Sequence, residues 1–246
     1  MDMIDSNPLD KWHSDKKEEF GLTRSTEQSR KLNDQRYATD EDEVRLMEEN
    51  VGRHLIRDQL IIRCLWQMGM RRGELAGIEL RDIEREDREV TIREQVAKND
   101  EMRVLAYQPS LDGLMKKWLD EGRREEMAAG AEHGRFLVGE RGAPLSGDRI
   151  NDVVKEAARR AGINELLYAD ANATEDEEGT KEKNRWKISA HAIRHGFGTY
   201  LVHETDAGLW EVSQAMGHHS VKVTEGIYVD DDPRAGIDHV HMYGPD

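Results

Sequence analysis

Residues 55–75 read LIRDQLIIRCLWQMGMRRGEL, and this stretch decides the fold because it joins a core helix to a pair of cations. Apolar residues at positions 55, 56, 60, 61, 62, 65 and 66 have the spacing of one helical face, which predicts a buried helix from His54 to Met68. Gly69 is expected to end this helix. Arg71 and Arg72 follow at once, so the sequence predicts cations at the end of a core helix.

Helical patterns also occupy most of the chain on either side of this stretch. Thr39 and the acidic residues after it are typical of an N-cap with an acidic first turn, which predicts a helix through Met47. Gly130 and Gly162 are expected to end two further helices, and Ser189 can cap a third. These three helices are predicted over residues 110–129, 146–161 and 189–203. Three others are predicted over residues 74–77, 207–216 and 221–228.

Two segments have the alternation of apolar and polar residues that indicates β-strands. Val90–Val96 is predicted to pair with residues 102–107, with the turn at 97–101. Phe136–Val138 is expected to be a short extended piece, and the acidic, turn-rich run at 170–184 a loop or a loose β-hairpin. The predicted fold class is therefore α+β, mainly α-helical, with a small antiparallel β-hairpin or sheet at one edge.

Composition limits the class of protein. The 246 residues are enough to bury a sizeable core, and the single cysteine, Cys64, excludes a disulfide framework and a cysteine-based metal site. The N-terminus has no signal-peptide pattern, and no run approaches the roughly 20 apolar residues of a membrane span. These features predict a cytoplasmic protein with no membrane partner.

Six scattered residues carry reactive chemistry: Arg71, Lys98, His191, Arg194, His218 and Tyr228. An arginine keeps its charge at any working pH and offers a planar fork of donors that suits the non-bridging oxygens of a phosphate. A lysine can protonate an alkoxide leaving group, and a phenol can attack phosphorus. Singly, each residue has a plainer interpretation as a surface, capping or core side chain. Together they predict cleavage of a phosphodiester without metal.

Three motifs in the same order resemble those of the tyrosine recombinases, the phage integrase family. They are GMRRGEL at 69–75, HAIRH at 191–195 and MGHHS at 216–220, the last followed by Tyr228. The resemblance covers roughly residues 39–230. It implies the catalytic domain of that family, with the six residues above as the catalytic set and no cofactor or metal ion.

The resemblance also implies the role of each residue. Arg71 and Arg194 would hold the scissile phosphate, and His191 would share a helix face with Arg194 beside it. His218 would donate to the phosphate or sit against the tyrosine. Lys98 would protonate the leaving 5′ oxygen and Tyr228 would attack phosphorus. Glu74 would orient the catalytic groups, and His195 would support them or serve only in packing. His219 rivals His218, because its spacing to Tyr228 also fits. The residues expected to contact phosphate or DNA are Arg72, Arg103, His219 and Lys222.

The function expected from the resemblance is site-specific cleavage and rejoining of duplex DNA through a covalent 3′-phosphotyrosyl link. The alternatives are a DNA-binding regulator that occupies recombination sites without strand exchange, and a relaxing enzyme similar to type IB topoisomerases. The expected partner is double-stranded DNA. A homo-tetramer is expected only in a synapse on DNA, with accessory DNA-bending proteins as further partners in the nucleoid.

The overall charge stands against a DNA-binding protein, because 51 acidic and 36 basic residues leave a net charge of −15. Adaptation to high intracellular salt is one hypothesis that reconciles this net charge with DNA binding. At molar salt the Debye length is about 3 Å, so distant carboxylates would barely repel DNA while a local cluster of cations could still bind phosphate.

The expected domains are an N-terminal arm or linker at residues 1–38, the catalytic domain at 39–230 and a C-terminal tail at 231–246. The arm resembles the end of the core-binding domain that family members use to clamp DNA. The chain is then either an excised catalytic domain or a natural short form. In both cases we expect weak DNA binding by this chain alone.

Overall fold

The structure is a computed structural model that describes residues 37–97, 101–131, 133–168, 185–218 and 220–228, without the side chains of residues 167, 168, 185 and 226–228. All of these residues belong to one unit of the chain, Tyr37–Asp246. The predictions for the loop at 170–184 and the tail at 231–246 lie outside the described residues, as does nearly all of the predicted arm.

The described residues form a mainly helical fold with two small antiparallel sheets, which confirms the predicted fold class. The helices are α1 (Glu41–Glu49), α2 (Leu55–Met68), α3 (Arg72–Gly77), α4 (Asp112–Leu119), α5 (Arg123–Ala128), α6 (Gly147–Arg160), α7 (Ala190–His203), α8 (Leu209–Met216) and α9 (Val221–Tyr228). One sheet has the order β1 (Ile83–Glu84), β2 (Glu89–Ile92) and β3 (Arg103–Ala106), and the other pairs β4 (Leu166–Tyr168) with β5 (Arg185–Trp186). Short 3₁₀ turns lie at Leu80–Asp82, Pro109–Leu111 and Glu140–Gly142.

Helix α2 is the centre of the core, as its apolar spacing predicts. Leu60, Ile61, Ile62 and Leu65 are fully buried, and α2 packs against α1, α4, α6 and α7. Burying a side chain of this size stabilises the fold by about 1.5–3 kcal/mol. The helix ends at Gly69, whose left-handed backbone (φ 55°) confirms the predicted stop.

Polar caps begin two of the predicted helices. The Asp40 carboxylate accepts the Glu43 backbone N–H at 2.8 Å, and the Glu43 carboxylate in turn accepts the Asp40 N–H at 3.4 Å. Ser146 caps α6 by accepting the Arg149 N–H at 3.2 Å. Ser189 occupies the N-cap position of α7 but makes no capping hydrogen bond through its side chain to the described helix start. The helix boundaries therefore depend on local side-chain bonds at α1 and α6.

The single helix predicted over residues 110–129 was wrong. The chain forms α4 and α5 instead, separated by Gly122 with φ 79°, a conformation that glycine adopts without strain. Arg124 then turns inward and donates from its Nε to the Arg135 carbonyl at 2.9 Å. The glycine and the buried arginine together direct α5 away from the axis of α4.

The predicted strand at Val90–Val96 was too long, whereas its pairing with the segment after the turn is confirmed. Strand β2 ends at Ile92, which pairs with Arg103 of β3. Arg93 leaves the sheet because its Nε and Nη2 donate to Asp82 and to the Gly77 carbonyl. Strand β1, which had no predicted counterpart, completes the sheet by pairing with β2. Strands β4 and β5 pair on either side of the run at 170–184, for which a loop or a loose β-hairpin was predicted.

A smaller apolar cluster attaches α8 to α7. Val212 and Met216 of α8 are buried against Phe197, Leu201 and other apolar side chains. This packing brings the end of α8 toward the first turns of α7 and the end of α2. The functional residues considered below lie where these three helix ends meet.

Gly196 marks the closest approach of α7 to the chain before α1. A Cβ atom on Gly196 would lie 1.9 Å from the Thr39 carbonyl oxygen. We expect Gly196→Ala to destabilise the protein by about 1–3 kcal/mol, because the backbone must shift to relieve the clash. Urea denaturation measures the change.

The matched control is Gly113→Ala in α4, where a Cβ would have no neighbour within 4 Å. Alanine there should leave the stability unchanged or raise it by up to about 1 kcal/mol. Equal stability of the two variants would contradict the close packing of α7 against Thr39.

Candidate active site

The residues of the first motif lie at the turn between α2 and α3. Two features require glycine at position 69. Its φ is 55°, in the left-handed region, and a Cβ atom would lie 2.1 Å from the Phe197 ring. The Gly69 carbonyl accepts a hydrogen bond from Nη1 of Arg194 on α7 at 2.5 Å. The buried guanidinium of Arg194 thus joins the end of α2 to the first half of α7.

Arg71 and Glu74 are connected at the start of α3. The Glu74 carboxylate accepts the Arg71 backbone N–H at 2.7 Å and the Arg71 Nη1 at 2.9 Å. The backbone bond is one half of a capping box, and the side-chain bond holds the guanidinium beside the helix start. Arg71 is therefore fixed at both its backbone and its charged end.

A second arginine, Arg103 of β3, binds the same carboxylate. Its Nη1 and Nη2 donate to the two oxygens of Glu74 at 3.1 and 2.7 Å. Burial by itself would raise the pKa of Glu74, but the hydrogen bonds and charge of Arg103, followed by those of Arg71, outweigh it and keep the pKa below its usual range. Glu74 is thus held as a carboxylate between two guanidinium groups.

Arg71 and Arg194 meet at the end of α8. Arg71 donates from Nη2 to the Gly217 carbonyl at 3.0 Å, and Arg194 donates from Nη2 to the carbonyl of Met216. The two acceptors belong to consecutive residues, so both guanidinium groups lie at the same turn. Carbonyls at a helix C-terminus carry partial negative charge, which stabilises cations placed beside them. The structure therefore brings together the arginines of the first two motifs.

His218 follows this turn directly. Gly217 has φ 59°, and the His218 backbone N–H donates to the Ser213 carbonyl at 3.0 Å. The His218 Nδ1 lies 2.9 Å from the hydroxyl of Thr224, which is fully buried in α9. This contact attaches the third motif to the helix that ends at Tyr228, one turn after Thr224.

His191 and His195 lie on the first turns of α7 with their rings in contact. The ring centroids are 4.9 Å apart and the rings are nearly perpendicular, at 86°. His191 is exposed whereas His195 is buried. The buried ring of His195 thus packs against the exposed ring of His191. The catalytic roles of both residues remain predictions.

The model of the phage integrase family matches residues 37–234. The chain belongs to this family. The match confirms the resemblance of the three motifs, and it extends a few residues beyond the predicted limits of 39–230.

Among similar proteins, a tyrosine recombinase XerD of Chlorobaculum tepidum is 30% identical over 208 residues, covering 82% of this chain and 59% of the relative. A tyrosine recombinase XerC of Corynebacterium glutamicum is 28% identical over 170 residues, covering 69% and 46%. The chain therefore spans about half the length of these curated relatives.

Solved structures of the family share the fold at low sequence identity. The crystal structure of XerA recombinase has a TM-score of 0.61 at 20% identity and covers 85% of this chain and 65% of that one. The Tn1549 transposon integrase in complex with transposon right end DNA has a TM-score of 0.59 at 13% identity and covers 85% and 66%. These likenesses confirm the recombinase fold.

The other predicted contact residues occupy different places. Arg72 is exposed and forms an ion pair with Asp148 at 2.8 Å, and Lys222 is exposed on the first turn of α9. Arg103 is bound to Glu74 as described above. Lys98 and His219, together with the side chain of Tyr228, lie outside the described residues. The roles of all these residues remain predictions.

Thr224 is the residue of this site that the motifs did not indicate. It lies outside the three family motifs, and its spacing of six residues from His218 corresponds to no simple helical period. One signal was present: Thr224 is four residues before Tyr228, so it occupies the preceding turn of the same helix.

The described residues of the site line only a small cleft. The cleft beside Arg103, Gly217 and His218 has a volume of about 70 Å³. A larger cleft of about 520 Å³, lined by His54 and residues of α6, lies at the other end of α2, roughly 21 Å away for a helix of 14 residues. The cleft at the site is thus smaller than the roughly 300–1,000 Å³ of clefts that enclose small-molecule ligands.

Two findings concern metals and membranes. Within the described residues, no group of three or more histidine, cysteine, aspartate or glutamate side chains could hold a metal ion. None of the helices in the same part of the chain has both the length and the apolar character needed to cross a membrane.

Glu74→Gln is expected to remove a pH-dependent part of the stability. The pKa of Glu74 is lower in the folded protein than its ordinary value of about 4.3, so its charge stabilises the fold above that value and the contribution disappears as the pH falls through the folded-state pKa. Urea denaturation should therefore show a larger difference between wild type and variant near about pH 7 than near about pH 3.

Glu126→Gln, at an exposed pair with Arg123, is the matched control and should show little change of this difference with pH. A constant difference for Glu74→Gln would show that its carboxylate is not held in the charged form.

Thr224→Val is expected to lower the free energy of unfolding by about 1 kcal/mol, because it removes the hydroxyl that bonds to His218 while keeping the shape of the side chain. Thr224→Ser keeps the hydroxyl and should retain more of the stability contributed by that hydrogen bond. Urea denaturation of both variants measures the difference. A Val variant as stable as the wild type would contradict a structural role for this contact.

Proposed function

We propose that this chain is the catalytic part of a site-specific recombinase that cleaves and rejoins duplex DNA through a covalent bond to Tyr228. The observation that carries the proposal is the convergence of Arg71 and Arg194 on adjacent carbonyls beside His218. Motifs that lie far apart in the sequence bring these groups to one turn at the end of α8.

The arginines supply the electrostatic part of the reaction. Their planar forks suit the non-bridging oxygens of a phosphodiester, and their charge offsets the negative charge that increases in the pentacoordinate state. Because both groups are already held at one turn, little reorganisation is needed when the phosphate arrives. His191 and His218 are proposed to donate further hydrogen bonds to the same phosphate.

Tyr228 is proposed as the nucleophile. Its phenolic oxygen forms a bond to phosphorus as the bond from phosphorus to the 5′ oxygen breaks, and Lys98 gives a proton to that oxygen. The phenolic proton leaves to solvent or to a neighbouring base. The 3′-phosphotyrosyl link keeps the ester energy, so a 5′ hydroxyl can reverse the step without ATP or a metal ion.

Double-stranded DNA is the proposed partner. The Tn1549 integrase was solved in complex with transposon right end DNA, and the XerH recombinase was solved bound to its difH substrate. Arg72 and Lys222 are exposed near the site and are proposed to contact the DNA backbone, as is His219. High intracellular salt would weaken the repulsion between the acidic surface and DNA.

The wider setting follows from the same proposal. We propose assembly as a tetramer only in a synapse on DNA, with accessory DNA-bending proteins, in the nucleoid of a cytoplasm rich in salt. The proposed catalytic domain is residues 39–230, preceded by an arm and followed by a tail.

Tyr228→Phe should abolish covalent capture of DNA. The wild type is incubated at high salt with a pool of nicked duplexes of randomised sequence, in which loss of a short 3′ fragment prevents rejoining, and adducts are resolved on a denaturing gel. Phenylalanine keeps the ring but lacks the attacking oxygen. The variant should give no adduct.

Tyr200→Phe is the matched control, since Tyr200 is exposed on α7 with its ring against Trp66, and it should form adducts like the wild type. Adducts that persist in Tyr228→Phe would show that another residue attacks. A wild type that binds the pool without any adduct would overturn the proposed cleavage and support the DNA-binding regulator. Relaxation of supercoiled plasmid without recombination would support the topoisomerase-like alternative.

A further inference from the structure

Arg103 is mostly withdrawn from the surface that the site presents. It is the first residue of β3, where it pairs with Ile92, and its side chain is only 14% exposed. Its Nη1 and Nη2 form two parallel hydrogen bonds to the oxygens of Glu74, the bidentate arrangement that is strongest between arginine and carboxylate. The sequence predicted a phosphate contact at this position, yet the guanidinium faces a buried carboxylate.

Glu74 needs Arg103 for a complete set of partners. A carboxylate has about four lone-pair sites, and Glu74 receives four hydrogen bonds, two from Arg71 and two from Arg103. Its side chain is 2% exposed, so water has little access to replace a lost donor. Removing Arg103 would leave this buried carboxylate, among the residues that the structure describes, with Arg71 as its remaining ionic partner.

The charges at this point explain what Arg103 contributes to Arg71. Arg71 and Glu74 alone would sum to zero, and a phosphate approaching Arg71 would meet a nearly neutral pair. Arg103 adds one positive charge and brings the three groups to a net charge of +1. Its ion pair with Glu74 therefore leaves the charge of Arg71 available for a phosphate.

Arg103 also packs against the turn that carries the other partner of Arg71. A Cβ atom on Gly217 would lie 2.8–2.9 Å from three atoms of the Arg103 guanidinium. The Gly217 carbonyl is the acceptor of Arg71 Nη2. Arg103 thus contacts both Glu74 and Gly217, the two groups that fix the Arg71 side chain.

We infer that Arg103 is a positioning residue, which holds Glu74 and the Gly217 turn so that Arg71 keeps its orientation and its net charge for the scissile phosphate. It acts through these two groups and does not bind the phosphate itself. This inference rests on the proposed function for its effect on cleavage, but the contact with Glu74 can be tested without it.

The first experiment separates positioning from direct phosphate contact. Arg103→Gln should slow adduct formation with the nicked duplex pool by roughly 100-fold, the loss typical of a misplaced catalytic group. Arg103→Lys keeps the charge and should recover part of this rate. In the double variant with Arg103→Gln and Glu74→Gln, the net charge of the three groups stays at +1. The salt dependence of its DNA binding should therefore equal that of the wild type, whereas loss of a direct phosphate contact would reduce the slope by about 1.

The second experiment is a double-mutant cycle with Glu74→Gln. If Arg103 acts through Glu74, the effect of Arg103→Gln on the rate should be much smaller in the Glu74→Gln background. The same cycle on urea denaturation of the free protein should show coupling between the two residues. Arg123→Gln is the matched control, because Arg123 forms an exposed ion pair with Glu126 and shares a cleft with Leu55 at the start of α2, the end opposite to the site. Its rate and salt dependence should equal those of the wild type.

Additive effects in both cycles, or a salt slope reduced by about 1 in the double variant, would overturn the inference and restore the direct phosphate contact. If Arg103→Gln does not fold, the rate and the coupling to Glu74→Gln are measured with Arg103→Lys, and additive effects would again overturn the inference. A wild type without adducts would refute the proposed cleavage, while the salt slope and the coupling in the free protein would still decide whether Arg103 acts on Glu74.

Discussion

The binding of two arginines to adjacent carbonyls at the end of α8 is the constraint on which the rest of the site depends. A guanidinium as buried as that of Arg194 is stable only with hydrogen-bond acceptors, and Gly69 and Met216 supply them from two different helix ends. Because Arg71 binds the next carbonyl along, α2, α3, α7 and α8 must all meet at one point. Displacing any of these helices would leave a buried charge without its acceptors, at a cost of several kcal/mol.

The parts of this arrangement that could be predicted are those that local sequence determines. Arg71 and Arg194 belong to motifs in which neighbouring residues identify them, and the apolar spacing before Gly69 defines the core helix. The break at Gly122 could have been predicted as well, since glycine is unfavourable inside a helix. The end of β2 could not, because Arg93 leaves the strand only to reach Asp82 and Gly77, whose positions depend on the folded sheet. The ion pair between Arg103 and Glu74 could not be predicted either. The register of β3 on β2 decides which side chain of the strand faces α3, and this register is known only from the folded sheet.

The acidic surface and the cationic site can coexist because the repulsion from the surface acts over longer distances than the attraction at the site. The chain carries a net charge of −15, yet Arg71, Arg103 and Arg194 place three positive charges at the site where Glu74 contributes one negative charge. Salt screens the distant carboxylates more than it screens groups in contact. The attraction for a phosphate is thus concentrated in a small area.

The acceptors at the end of α8 are main-chain atoms, and this has a consequence for how the family can diverge. Every amino acid has a carbonyl, so substitutions at Met216 can change the apolar packing without removing the acceptor for Arg194. The amino acid at position 216 therefore does not reveal whether its carbonyl accepts this hydrogen bond from Arg194. A chain with another residue at this position can preserve the bond, provided that the helix ends at the same turn.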